Sequence, residues 1–421
     1  MVLSGLFAFY LSLYFLRLHE YRPETAQTNI LFATLVLCLI IYLAKREKNL
    51  KVIQTPFIVG FVLAAIMSHV ISFYLQGAID TTDKLIRLAI LYFISASLFV
   101  DRKRLVFYFK LMAICALVIS IHGIHQVNNN GVGWTGIIMY RYEQVRYLGV
   151  FNDPNDMGML LLITVPLTLY LIKHSKNIAI KMFWFAVLAT NLYGIYLTDS
   201  RGTLIGLLAL FFLFIWLKLS RTLAIVTIVV AIPLAFAATT LSTIGTDDAS
   251  SAGRIDAWGE GIQMLKSNPL LGVGHGLFKD NHIRAAHSSY VEVFSETGLI
   301  GYFFWLGFVT MSAYGLYRFS YKYTLPDTAD ESRQLLYKQD KSLSTTLIFS
   351  IVAYMATAFF LSRSIQPLMF ILCAMSAGIY YQIRENHPDF KQLNFRSTFR
   401  ICSLLTVASV LFVYIVIRIF W

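Results

Sequence analysis

The sequence predicts an all-α polytopic integral membrane protein. It reads as a single membrane domain over residues 1–421, with about 12–13 transmembrane helices and one long outward-facing loop carrying an interfacial helix. Three observations predict this. Hydrophobic residues make up 57% of the chain and charged residues 14%, a charge fraction far below the ~25% of soluble domains. Apolar runs of ~17–25 residues recur along the whole length, each long enough to cross a ~30 Å hydrocarbon core. Lys and Arg collect in the connections between those runs, as membrane topology requires. A chain inside lipid must satisfy its own backbone, so the runs are helices. The period-two alternation of a transmembrane β-barrel is absent from the sequence.

In chain order the expected spans are 2–17, 27–44, 55–75, 85–100, 105–124, 156–172, 179–197, 202–217, 222–241, 298–316, 343–361, 367–383 and 401–420. The first lacks a basic start and a small-residue cleavage site, which fits a retained span better than a removed signal peptide. Alternate connections hold 21 of the 35 Lys and Arg residues, among them Arg102-Lys103-Arg104 and Lys173, Lys176 and Lys181. The positive-inside rule puts these connections in the cytoplasm. Segments 125–155 and 242–297 then face outward, and 317–342 is a charged cytoplasmic loop.

The net charge of +12 does not point to nucleic acid, because the basic residues sit between spans, where topology and anionic headgroups account for them. The four cysteines, Cys38, Cys115, Cys373 and Cys402, lie inside apolar spans without C-x-x-C spacing. They read as small apolar residues, with no disulfide or zinc framework. No 20–50-residue repeat or low-complexity run is present.

Chemistry concentrates on the outward face. His287 precedes Ser288-Ser289-Tyr290, the lead-in to a membrane helix. A histidine there has water access and an ordinary pKa of ~6.5, which suits a general base; a plain helix-capping or backbone-bonded histidine is the alternative. Arg141, Arg146, Arg201, Arg254, Arg284 and Arg363 lie on the same face. Headgroup snorkelling is one explanation, but outward loops are normally poor in basic residues. Guanidinium forks match phosphate oxygens, so an anionic ligand is expected. Residues 255–267 read as an amphipathic helix lying on the membrane, with Ile255, Trp258, Ile262 and Leu265 at helical spacing and Asn268-Pro269 ending it. The turn Gly272-Val273-Gly274-His275-Gly276 follows no strand and has no Walker Lys-Ser/Thr, so it is a tight backbone path with no nucleotide role. His275 is a second titratable candidate. Asn152-Asp153-Pro154-Asn155-Asp156 has the composition of a turn and N-cap, and too few oxygen ligands accompany it for a metal site. Glu296 could orient His287, contact an acceptor, or serve as a first-turn Glu favoured by the helix dipole.

Together these features resemble the O-antigen ligase-like superfamily of bacterial membrane glycosyltransferases, which includes O-antigen ligases, polysaccharide polymerases and protein O-oligosaccharyltransferases. The resemblance rests on Gly149 to Asp156, Ser200-Arg201, Gly253-Arg254 through Trp258 to Pro269, Gly272 and Gly274, then His287-Ser288 and Glu296 through Gly301. It runs over about residues 140–305, and the first 120 residues share only hydropathy. It implies transfer of a glycan from undecaprenyl diphosphate to an acceptor hydroxyl, such as lipid A-core, at the periplasmic face of the bacterial inner membrane. It implies no metal, nucleotide or other cofactor. His287 matches the motif histidine expected as the base. Arg201 and Arg254 match the arginines expected to hold the diphosphate and stabilise it as it leaves. Arg284, Arg146, Arg141, Glu296 and Tyr290 complete the expected substrate-binding set. Tyr290 stands where many ligases have Leu, so the acceptor is expected to differ.

A polymerase acting on the same donor is the alternative within this class, followed by a protein glycosylation ligase. A transporter would call for repeat halves and charged mid-membrane helices, which the sequence does not display; intramembrane charge is nearly limited to Lys110.

Overall fold

The computed structural model describes residues 2–21, 23–45, 52–71, 73–139, 144–220, 222–223, 249–326 and 330–420. Thirteen helices carry the fold among them. They are α1 (Val2–Leu16), α2 (Ile30–Leu43), α3 (Gln54–Ile71), α4 (Leu75–Leu98), α5 (Arg102–Asn128), α6 (Pro154–His174), α7 (Ile178–Leu197), α8 (Arg201–Phe214), α9 (Ala249–Ser267), α10 (Ser289–Lys322), α11 (Glu331–Ala358), α12 (Pro367–Asn386) and α13 (Phe395–Phe420). The described residues contain no strand; one isolated antiparallel bridge pairs Val132 with Ile138. Seven helical stretches are long and apolar enough to cross a membrane: 24–43, α5, α6, α7, α8 with its π-helical extension to Leu219, α10 and α13. The two shorter apolar helices, α1 and α3, also lie on predicted spans. The predicted span 222–241 lies outside the described residues, apart from its first two positions.

Two helices form the centre. Every residue from Asp156 to Thr168 of α6 is buried, and so is every residue from Leu368 to Tyr380 of α12. A helix apolar on all sides belongs inside a bundle. α6 packs on α5, α7, α8 and α11, while α12 packs on α4, α10 and α11. The periphery is the reverse: α13 exposes Leu404, Val407, Leu411, Phe412 and Ile415. Exposed apolar area on that scale marks a surface meant for lipid or another apolar phase. All four cysteines are buried and unpaired.

The two ends of the bundle differ. At one end Arg102 of α5 pairs with buried Asp340 of α11, 2.6 Å apart, and His387 reaches the same carboxylate at 3.2 Å. This end also carries Lys173, Lys176 and Lys181, in keeping with the basic side read from the sequence. The other end gathers the α5–α6, α7–α8 and α11–α12 connections with α9 and the segment leading into α10.

Helix α9 begins at Ala249, six residues before the amphipathic stretch at Ile255. Its apolar stripe, Trp258, Ile262 and Leu265, is buried, and α9 packs on α10 and α13. The stripe is therefore covered by protein.

Helix α10 is broken at Gly298, where φ is +62° and ψ is −169°, a combination open essentially to glycine alone. In an unbroken helix the amides of Leu299 and Ile300 would bond the carbonyls of Ser295 and Glu296. Both carbonyls instead accept from Val273 (3.0 Å) and Gly274 (2.9 Å), while the two amides donate to Pro269 (2.9 Å) and Leu270 (3.2 Å). The Gly-rich turn thus replaces the hydrogen bonds that the break removes. Gly272, at φ +70°, lies against the Glu296–Thr297 backbone, which leaves no room for a Cβ.

Candidate active site

Trp258 on α9 donates its indole N–H to the carbonyl of Ala286 at 2.9 Å. Ala286 and Ser288 are buried, and His287 between them takes a left-handed φ of +46° that leaves its side chain exposed. A non-glycine residue in that region costs of order 1 kcal/mol and is typical of functional sites. Ser288 caps α10 by accepting from the Val291 amide at 3.5 Å. Arg254 is four residues before Trp258 and so lies one turn away on the same helix face.

The next residue, Ser289, ties this segment to the α11–α12 connection. Its hydroxyl donates to Leu361 O at 2.6 Å and accepts from Arg363 N at 2.9 Å. Arg363 forks the buried Asp156 carboxylate on α6, with Nε to Oδ1 at 2.6 Å and Nη2 to Oδ2 at 2.5 Å. One turn earlier, Asp153 caps α6 through the Asn155 amide at 2.8 Å. The Asn155 side chain accepts from the Ser200 hydroxyl at 2.7 Å. Ser200 is the cap of α8, whose first residue is Arg201, and it accepts from Thr203 N at 3.1 Å. A continuous set of hydrogen bonds and peptide links therefore runs from α9 through His287, Arg363 and α6 to Arg201. Asp199, just before this cap, is also left-handed at φ +45°.

The charges converge in the same way. Burial and the adjacent Arg254 guanidinium push the His287 pKa below its usual value; Asp153 opposes them, and Lys279 and Arg363 add to the lowering. His287 is exposed at its surface, yet enough protein surrounds the ring to desolvate it. Burial, then the like charge of Arg201, press down on Arg254, again against Asp153. Arginine stays charged regardless. The exposed Arg201 and the partly desolvated Arg254 repel each other, and an anion between them would relieve that repulsion. The arrangement can hold an anion on Arg201 and Arg254 while a neutral imidazole accepts a proton nearby.

The other candidates fall in different places. Arg284 lays its guanidinium against Gly253, beside Arg254. Glu296 is buried, and its two oxygens accept from Gly276 N (2.7 Å) and Phe278 N (3.1 Å); its carboxylate clamps the Gly-rich loop. Tyr290 donates its hydroxyl to Met355 O at 3.2 Å, and its ring packs edge-on to Phe359 and Trp305. Arg146 lines a cavity in the α5–α6 connection. Arg141 lies outside the described residues. His275 is buried under the loop, donating its amide to Ser68 at 3.0 Å, with Nδ1 hydrogen-bonded to Thr81 at 3.3 Å. Burial, with the charges of His69 and Lys84, pushes it down to about 4. Among the described residues no group of three His, Cys, Asp or Glu side chains is placed to hold a metal.

The Asp156–Arg363 pair is the part of this site that motif reading missed. Both residues were visible as charges near span ends, but nothing local pairs positions 207 apart in sequence.

Fold and site together define a helical multi-pass membrane protein with a cationic, histidine-bearing centre at one end of the bundle. Residues 185–306 match the family model described as O-Antigen ligase. Over this stretch the match bears out the superfamily resemblance read from the motifs and supports a ligase- or polymerase-type membrane glycosyltransferase. The match spans most of α7, then α8, α9 and the first part of α10, and it includes Arg201, Arg254, Arg284, His287, Tyr290 and Glu296. No curated protein matches the chain.

Proposed function

We propose that this protein transfers a glycan from undecaprenyl diphosphate to an acceptor hydroxyl, with lipid A-core as the acceptor, at the periplasmic face of the bacterial inner membrane. The observation that carries the reading is that residues of three separate elements meet through their charges: Arg254 and Asp153 both act on His287, and Arg201 and Asp153 both act on Arg254. The acceptor oxygen attacks the anomeric carbon and a new C–O bond forms. The bond from that carbon to the diphosphate oxygen breaks, and undecaprenyl diphosphate leaves with the electron pair. The acceptor proton passes to the neutral imidazole of His287. Arg201 and Arg254 stabilise the charge that develops on the leaving diphosphate. The lowered pKa of His287 supports the base role, since the ring is neutral below the usual ~6.5. The exposed apolar flanks of the bundle let a polyprenyl tail remain in lipid while its headgroup reaches the site.

The test is complementation of a knockout with wild type and His287→Ala at matched expression, reading lipopolysaccharide and free polysaccharide on gels. Restoration of long chains on lipid A-core by wild type alone is the expected result. Loss of a different polymer in the knockout, with lipopolysaccharide intact, would make the protein a polymerase. Full activity of His287→Ala would remove the base assignment.

A further inference from the structure

Residues 135–139 and 146–152 line a half-open cavity of about 370 Å³, within the ~300–1,000 Å³ of small-ligand sites. Thr135, Arg146 and Asn152 supply its polar lining, and Ile137, Ile138 and Met139 an apolar wall. Residues 131–139 hold the wall in place through the Val132–Ile138 bridge and the Met139 N–Gly131 O bond at 2.9 Å. The Gln126 amide fixes the backbone of Arg146 from both sides, donating to its carbonyl at 2.5 Å and accepting from its amide at 3.2 Å. The Arg146 Nε is nonetheless buried without a hydrogen-bond partner among the described residues. That nitrogen is closed off by protein, but the guanidinium makes no hydrogen bond or ion pair among the described residues, which leaves its terminal nitrogens for an anion in the cavity. Asn152, on the cavity wall, is followed directly by Asp153, whose carboxylate acts on both His287 and Arg254.

We infer that this cavity is a subsite for a sugar bearing an anionic substituent, a carboxylate or a phosphate. The inference rests on the transfer reading above and names a substrate class for it. Arg146 takes the anion, since a guanidinium fork matches either group. Thr135 and Asn152 are the donors and acceptors that ring hydroxyls require. The isoleucines and Met139 cover the C–H face of the ring. The anionic sugar could belong to the acceptor or to the donor glycan.

The test is saturation-transfer NMR on the full chain in detergent, with glucuronate, glucose 6-phosphate, glucose and glycerol 3-phosphate as probes. Wild type is expected to bind the two anionic sugars at least tenfold more tightly than glucose or glycerol 3-phosphate. Arg146→Gln should lose that preference. Ile137→Glu, at a wall position 65% exposed and thus tolerant of substitution, should lose it too by placing a like charge in the cavity. His287→Ala should retain it. Equal binding of glucose, equal binding of glycerol 3-phosphate, or wild-type binding by both cavity variants would overturn the inference. In a transfer assay, glucuronate-capped and glucose-capped acceptors with one fixed donor, then the converse pair of donors, show which substrate carries the preference. Sugar binding that fails while His287→Ala still abolishes transfer removes the subsite and leaves the transferase reading standing.

Discussion

Arg363 and Asp156 form a two-pronged ion pair, Nε to Oδ1 at 2.6 Å and Nη2 to Oδ2 at 2.5 Å, that joins the α11–α12 connection to the start of the central helix α6. Asp156 is fully buried, whereas the Arg363 side chain is 34% exposed. The same Arg363 accepts structural load from two directions, since its amide donates to Ser289 and its carbonyl accepts from Tyr354 at 2.7 Å. It therefore fixes the segment that bears His287 relative to the helix that bears Asp153.

Breaking this pair from one side should be costly. Arg363→Ala leaves a buried carboxylate without its partner, a change of about 3–5 kcal/mol. Replacing both members with apolar residues of similar size, Asp156→Leu with Arg363→Met, should be less destabilising than Arg363→Ala. Thermal unfolding of the purified chain in detergent ranks the variants; a double variant less stable than Arg363→Ala would show that the ion pair itself carries the stability.

The acidic limb of the pH–activity profile should move in opposite directions for two charge changes. Arg254⁺ disfavours the imidazolium of His287 and lowers its pKa, while Asp153⁻ favours it. Arg254→Gln should raise the pKa, so that activity is lost at a higher pH on acidification. Asp153→Asn should lower it and extend activity to more acidic pH. Both limbs are read from kcat/KM, which reports the free enzyme, so the lower absolute rate expected of Arg254→Gln does not obscure the shift. Parallel movement of the two limbs would count against His287 as the titrating group.

At Arg254 the planar fork should matter beyond its charge. Arg254→Ala is expected to cost about 10²–10³ in kcat, the effect typical of removing one preorganised donor from a developing negative charge. Arg254→Lys should recover only part, because a compact ammonium cannot bond two oxygens in one plane. Single-turnover transfer with isolated lipid-linked donor separates this from weaker binding. Equal kcat for Lys and Arg would mean that charge alone suffices there.

Gly298→Ala should reduce stability by more than the ~1–3 kcal/mol that backbone strain alone costs. The added methyl would meet the Leu270–Leu271 backbone, which cannot move aside as a flexible side chain can. Membrane abundance and melting temperature should both fall. Hydrogen exchange should speed up at the Val273 and Gly274 amides, which bond across the break. Unchanged exchange at those amides would separate the helix break from the loop.

What the sequence made legible, and what it did not, follows from the range of the interactions. The long apolar runs that became α5, α6, α7 and α10 need only local hydropathy to be read. The first turn of α9 is not legible from propensity because Ser250, Ser251 and Gly253 are weak helix formers, yet Gly253 is where the Arg284 side chain lies against the helix. The sequence readings of Glu296 were an orienting group, an acceptor contact or a dipole-favoured carboxylate; its actual partners, the amides of Gly276 and Phe278, depend on a helix break that hydropathy does not reveal. Tyr290 looked like an acceptor contact, but its ring and hydroxyl are both engaged with the bundle. The left-handed backbone of His287 is set by burial on either side of it, which a string of residue types does not encode.

The exchange of hydrogen bonds across Gly298 also dictates where this chain can change length. Pro269, Leu270, Val273 and Gly274 are each matched to one rung of α10, so a single inserted or deleted residue among them would put the whole stretch out of phase with the helix. Beyond Phe278 the residues bond no rung of α10: Lys279, Asp280, Asn281 and Ile283 are exposed, Ile283 at 99%, and His282 is tied to Asp256 of α9 at 3.2 Å. Exposed segments of that kind tolerate added residues. A fluorophore attached at position 283 should therefore leave the framework intact and report from within a few residues of His287.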